Sequence, residues 1–152
     1  MPFFELRTPG DMLEKARREH QRLAERFDID NLFNFFVTVH HITDYLRKTS
    51  AVAQVVIDTF LQDQDFKDCR DLCDKGKHLT LSHRPDPTTH VWSGCIGGAP
   101  IGVLPIGGGD KWVLFTDDRE VDVEWLAERV LIKWETFFST HGLEVRNSDI
   151  PL

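Results

Sequence analysis

Residues 31–48, NLFNFFVTVHHITDYLRK, decide the fold. Leu32, Phe35, Phe36, Val39, Ile42, Thr43 and Leu46 recur at helical spacing and fall on one side. So wide an apolar face predicts a central core helix over roughly Asn31 to Lys48, capped by Asp28 or Asp30. The other side carries Asn34, Thr38, His41 and Tyr45, whose spacing predicts a continuous polar stripe along the helix.

Upstream, Thr8-Pro9-Gly10-Asp11 reads as a helix start: a capping threonine, proline in the first turn and an acid three residues after the cap. Met12, Leu13, Ala16, Leu23, Ala24 and Phe27 give this first helix only a narrow buried stripe. Downstream, Ser50 is placed to cap a third helix, AVAQVVIDTFLQD, for which β-branched content makes strand the alternative, and a fourth follows Asp65 through FKDCRDLCDK, with Gly76 at or near its end.

After His78 the texture changes. LTLSH, THVWSG, IGVLPIG and KWVLFTD are short β-rich pieces separated by proline- and glycine-rich turns. Short links favour antiparallel neighbours, so a meander of three or four strands is expected, with Pro105 on an edge or at a bulge. Asp122 then caps a last helix, VEWLAERVLIKWETFFSTH, with Gly142 just beyond it. Its broad apolar face, Trp125, Leu126, Val130, Leu131, Trp134, Phe137 and Phe138, is expected to close the core against the second helix. The tail EVRNSDIPL has no periodicity and reads as a loosely held arm. The fold class is therefore α+β: one domain over residues 1–152, a bundle of four to five helices with a small antiparallel meander before the last.

Of the 152 residues 41 % are hydrophobic and 28 % charged, enough apolar surface for a packed core. A net charge of −7 argues against broad duplex-DNA binding by counterion release, and leaves a local basic patch as the route to RNA. The opening MPFFELRTPGDMLEK lacks the pattern of a signal peptide, and no run suits a membrane helix. The expectation is a cytoplasmic protein with no membrane partner. An odd count of cysteines, Cys69, Cys73 and Cys95, argues against a disulfide framework. Cys69 and Cys73 share a helix face beside Phe66, where small apolar packing is expected, and no paired motif completes a zinc site around them. GGGDKW lacks the phosphate-loop pattern and precedes a strand instead of a helix, so its glycines read as hairpin turns. No metal and no cofactor are expected.

Two groups of residues can carry chemistry. On the second helix Asp44 is four residues from His40 and three from His41, so either pairing lets a carboxylate orient an imidazole. The same residues also suit a solvated helix flank. The second group is CRDLCDKGKH. If the helix runs to His78, then Arg70, Asp74, Lys77 and His78 share its polar side. Arginine can grip phosphate with a fork of donors and histidine can move protons near neutral pH, the parts of a metal-free ribonuclease. An ordinary helix end with dipole-complementing cations reads the same way.

NLFNFFVTVHHITDYL followed by FKDCRDLCDKGKHLTL resembles the paired core helices of bacterial HEPN-type proteins, over Asn31 to Leu81 only. The resemblance implies a helical bundle, often a homodimer, of toxin–antitoxin or phage-defence type. It also implies metal-independent RNA cleavage by an Arg–polar…His motif. Arg70-Asp71 matches the start of that motif, and seven residues separate Arg70 from His78, one more than the family pattern carries. On this reading Arg70 holds the scissile phosphate and His78 is the general acid or base. Two further readings stand beside it. One is a protein-interaction module using the second-helix stripe or exposed aromatics, and the other a metal-dependent enzyme using His40, Asp44 and His78.

Overall fold

The computed structural model describes residues 6–93, 97, 99–102, 109–116 and 118–145. The elements run α1 (Pro9–Glu25), α2 (Ile29–Thr49), α3 (Gln54–Phe60), α4 (Gln64–His78), β1 (Thr88–Trp92), β2 (Lys111–Phe115), β3 (Glu120–Asp122) and α5 (Val123–Thr140). This is the α+β arrangement expected: five helices, with a three-stranded antiparallel sheet ahead of the last. The sheet order is β1-β2-β3, with Thr89 opposite Leu114 and Leu114 opposite Val121.

Side chains set the helix ends. Thr8 and Asp11 form a reciprocal capping box on α1. Asp28 caps α2 through the Asn31 amide, and Asp122 caps α5 through the Trp125 amide. Ser50 does not start α3. It ends α2 in the left-handed conformation, φ 51°, and Ala53 precedes α3 without a side-chain cap. Asp63, not Asp65, caps α4. Gly76 lies inside α4, and a Cβ there would meet the Phe33 ring at 2.3 Å, so the glycine seats an α2 aromatic instead of ending the helix.

LTLSH forms no strand. Leu79 takes φ 66° and ψ −44°, and the Thr80 amide donates to the His78 carbonyl at 2.7 Å, a classic-handed γ-turn that directs the chain away from α4. The third strand is β3, too short for alternation to show. IGVLPIG with Pro105, except Ile101 and Gly102, lies outside the described residues, as do Cys95 and residues 146–152. The start of the tail is held more firmly than its composition suggests. Leu143 and Val145 pack on the core, and Gly10 lets the Glu144 carbonyl approach where a Cβ would stand at 2.1 Å.

The core is built on α2: Phe35, Phe36, Val39, Ile42 and Leu46 are all 1 % exposed or less. The opposite polar stripe is only partly open to solvent: Asn34 is exposed, and His41 and Tyr45 are half-buried. Thr38 is buried and accepts from Lys15 Nζ of α1 at 2.9 Å, and Tyr45 donates to the Leu6 carbonyl. Alternation of polar residues cannot tell a solvated face from one covered by another helix's polar groups. Trp134, expected against α2, is buried in one cluster with the α2 core residues and stacks edge-on with Phe60 of α3 and Phe66 of α4, at 4.9 and 5.4 Å between centroids, whereas Trp125, expected on the same apolar face, is exposed.

Two stability outcomes follow. Trp134→Ala should cost about 3–5 kcal/mol in urea unfolding, as large core aromatics do, and a loss under about 1 kcal/mol would contradict the burial. Leu79→Gly should gain about 0.5–1 kcal/mol by relieving the positive φ, since the 81 % exposed side chain packs little; no gain would mean the turn is unstrained.

Candidate functional site between α2, α3 and α4

Helix α4 carries a carboxylate every three residues: Asp65, Asp68, Asp71 and Asp74. Each meets a cation from later in the chain. Arg129 and Lys133 of α5 hold Asp65, and Arg119 makes a two-pronged pair with the buried Asp68 at 2.6 and 3.0 Å. Arg84 donates to both Asp71 and Asp74. These bonds outweigh burial, so the Asp65 and Asp74 carboxyls lie below their usual 3.8.

Beside this ladder, α2, α3 and α4 enclose a cleft of about 320 Å³ lined by His40, Asp44, Arg47, Asp58, Lys67 and Arg70, among others. Arg47 reaches Asp58 at 3.4 Å, and among the described residues Arg70 pairs only with its neighbour Asp71, at 3.3 Å. Lys67 forms no ion pair with any described residue. Lys67 and Arg70 also line a second cleft, of about 260 Å³, with Arg84 and Arg119 on its wall. The two cations therefore stand on the ridge between the clefts.

The fold brings Arg70 together with His40 and Asp44. It does not bring Arg70 to His78 within one chain. His78 is the last residue of α4 and exposed, about 12 Å along the axis from Arg70 and about 80° around it. Nor does His78 join His40 and Asp44 as a metal set. Of the two pairings open at Asp44, the ion-pair contact is His41 Nε2 to Asp44 at 4.0 Å, while His41 Nδ1 lies 2.6 Å from the Val37 carbonyl and is thereby oriented as the donor nitrogen. The His40 ring turns the other way, toward Cys73 and Asp74. Burial lowers the His40 imidazole below its ordinary value, and His41 and Lys77 add to this against Asp74 and Asp44.

The cysteines part company. Cys69 is buried against the Phe36 carbonyl, and burial pushes its thiol well up. Cys73 is also buried, and burial raises its thiol despite the nearby Lys77 ammonium. His40, Cys73 and Asp74 offer ligand atoms that all lie within 4.8 Å of one another, so the fold supplies the co-ligands that sequence spacing could not. The one signal in the chain was that His40 and the Cys73-Asp74 pair both sit in runs with strong helical periodicity.

A third cavity, about 150 Å³, is mostly apolar and is lined by Ile29, Leu32, Phe33, Leu72 and Gly76, among others. Among the described residues no helix is long and apolar enough to cross a membrane. No family model, curated protein or solved structure matches the chain.

The carboxylate ladder has a pH signature. A carboxyl held below its ordinary range contributes stability that is complete above that range and lost as pH falls through the depressed value. Arg84→Ala frees Asp74 and Asp71, so the variant should be less stable than the parent at pH 7, and the difference should shrink below about pH 4 as both proteins protonate. A difference constant from pH 7 to about pH 3 would show that Arg84 acts by packing alone.

Proposed function

We propose that the chain is an RNA-directed protein that lays a single strand over the ridge between its two polar clefts. The observation that carries this reading is the placement of Lys67 and Arg70. Nearby, Arg84 and Arg119 are tied to carboxylates by close bonds, whereas these two cations face both clefts with little or no pairing. Arg47 extends the track from α2. Forked guanidinium groups and a free ammonium are what a phosphodiester backbone requires. On a chain of net charge −7 such a local track, without a broad basic face, suits a single strand better than a duplex. The resemblance to HEPN-type proteins supports the same ligand class.

Cleavage by the Arg70–His78 pair draws its two halves from two copies of the chain, because one copy holds them apart along α4. A homodimer in which one protomer's His78 faces its partner's cleft completes the motif without a metal.

Two measurements test this reading. With a fluorescent single-stranded oligoribonucleotide, the Lys67→Ala/Arg70→Ala double variant should bind at least about tenfold more weakly. Its log–log salt slope should be shallower by about 1.4, the loss of two phosphate contacts. Unchanged affinity and slope would sink the RNA reading and favour a protein-interaction module built on the apolar cavity lined by Ile29 and Phe33. For cleavage, Arg70→Ala and His78→Ala should each be inactive alone and regain activity when mixed. Failure of the mixture, with the parent active, would remove the shared site.

A further inference from the structure

Where α2 crosses α4, His40, Cys73 and Asp74 come together beside the cleft that Lys67 and Arg70 line. One comes from α2 and two from consecutive positions of α4, and their ligand atoms lie within 4.8 Å of one another. We propose that these three residues bind a single zinc-class divalent ion, with water in the fourth position.

The donor set favours this ion over harder ones. Imidazole nitrogen, thiolate sulfur and carboxylate oxygen together suit zinc or cobalt and disfavour magnesium or calcium, which take oxygen alone. Three protein ligands and a water is the open tetrahedral arrangement of ions that remain reachable by small molecules. Thiolate and carboxylate together balance the two charges of the ion, so a neutral centre replaces a buried thiol and a half-buried acid.

The surroundings are arranged as an outer shell. Arg84 donates to Oδ2 of Asp74, which leaves Oδ1 for the ion and fixes the plane of the carboxylate. Lys77, one turn after Cys73, brings an ammonium near the sulfur that favours its thiolate from outside the ligand set. Cys73 has no disulfide, and Cys69 one turn earlier points to the Phe36 carbonyl, so a single sulfur is available. His40 also lines the 320 Å³ cleft, which gives the ion an approach from solvent on the imidazole side.

Cobalt(II) titration of the full chain, after dialysis against chelator and without RNA, tests the site directly. Saturation at about one ion per chain is expected, with a thiolate-to-cobalt charge-transfer band and the visible bands of a tetrahedral ion, and zinc should displace the colour. Cys73→Ser should abolish the charge-transfer band, and His40→Ala and Asp74→Asn should each weaken binding at least about tenfold. Cys69→Ser should leave the spectrum unchanged, and so should Lys67→Ala/Arg70→Ala, which separates this site from the RNA track. If Cys73→Ser fails to fold, the band in Cys69→Ser and its weakening in Asp74→Asn carry the assignment. No saturable spectrum in the parent would overturn the proposal. So would a band lost in Cys69→Ser, or an affinity indifferent to both His40→Ala and Asp74→Asn.

Discussion

Asp68 lies in the middle of α4 with its side chain 1 % exposed, and it takes two guanidinium nitrogens of Arg119. Removing one partner would leave a buried carboxylate or a desolvated guanidinium alone, which costs several kcal/mol where both together cost little. Arg119 comes from the connection between β2 and β3. That pair therefore fixes where the meander sits on the bundle, and with it the wall of the second cleft. The other carboxylates extend the same arrangement. Steps of three residues fall about 60° short of a full turn, so the row from Asp65 to Asp74 winds about half-way around α4. Its first member faces α5, its second the strand connection, and its last Arg84 and the His40 ring. One helix thus meets three partners with one repeated residue type.

How much of this is legible in the sequence depends on whether a feature is local. The α2 face, the Thr8 capping box, the Asp122 cap and the strand runs around THVW and KWVLF can be read because each is decided within a few residues. Ser50 and Asp65 are misread as caps because several cap-competent residues stand side by side near each boundary, and only tertiary placement chooses among them. LTLSH has the composition of a strand, but β2 already has β1 and β3 on its two edges, and a strand exists only where a partner does. Gly76 is the most instructive case. Read locally it is a helix stop or a residue of the last turn; the fold puts it in the last turn and makes it the space occupied by Phe33, and nothing within ten residues of it carries that information.

The site shows the same division. Arg70, His40, Asp44, Asp74, Lys77 and His78 can be named from residue type and helical spacing alone. Which of them meet depends on how α2 crosses α4. The crossing places Arg70 beside Asp44 and Arg47, sends His40 to Cys73 and Asp74, and leaves His78 at the exposed end. Cys73 reads as packing in the sequence because its partner from α2 is thirty-three residues away. Lys67 has no motif at all; it stands out only once its neighbours are seen to be paired while it forms no ion pair with any described residue.

The α2–α4 contact also explains why a polar cleft persists in the middle of a helical bundle. Toward the end of α4 the Phe33 ring rests on Gly76, a contact that a larger residue there would force apart. Farther up the same pair of helices the facing positions are His40, Asp44 and Arg47 on one side and Lys67 and Arg70 on the other. Long charged side chains keep their heads hydrated and do not collapse onto each other as leucines would. The short α3, only seven residues long, spans one side of this gap without filling it. A fold stabilised only by apolar contact would close such a space. Here the aromatic cluster of Phe60, Phe66 and Trp134 on one flank and the carboxylate ladder on the other hold the helices in place, so the cleft between them need contribute nothing to stability and its residues are free for binding.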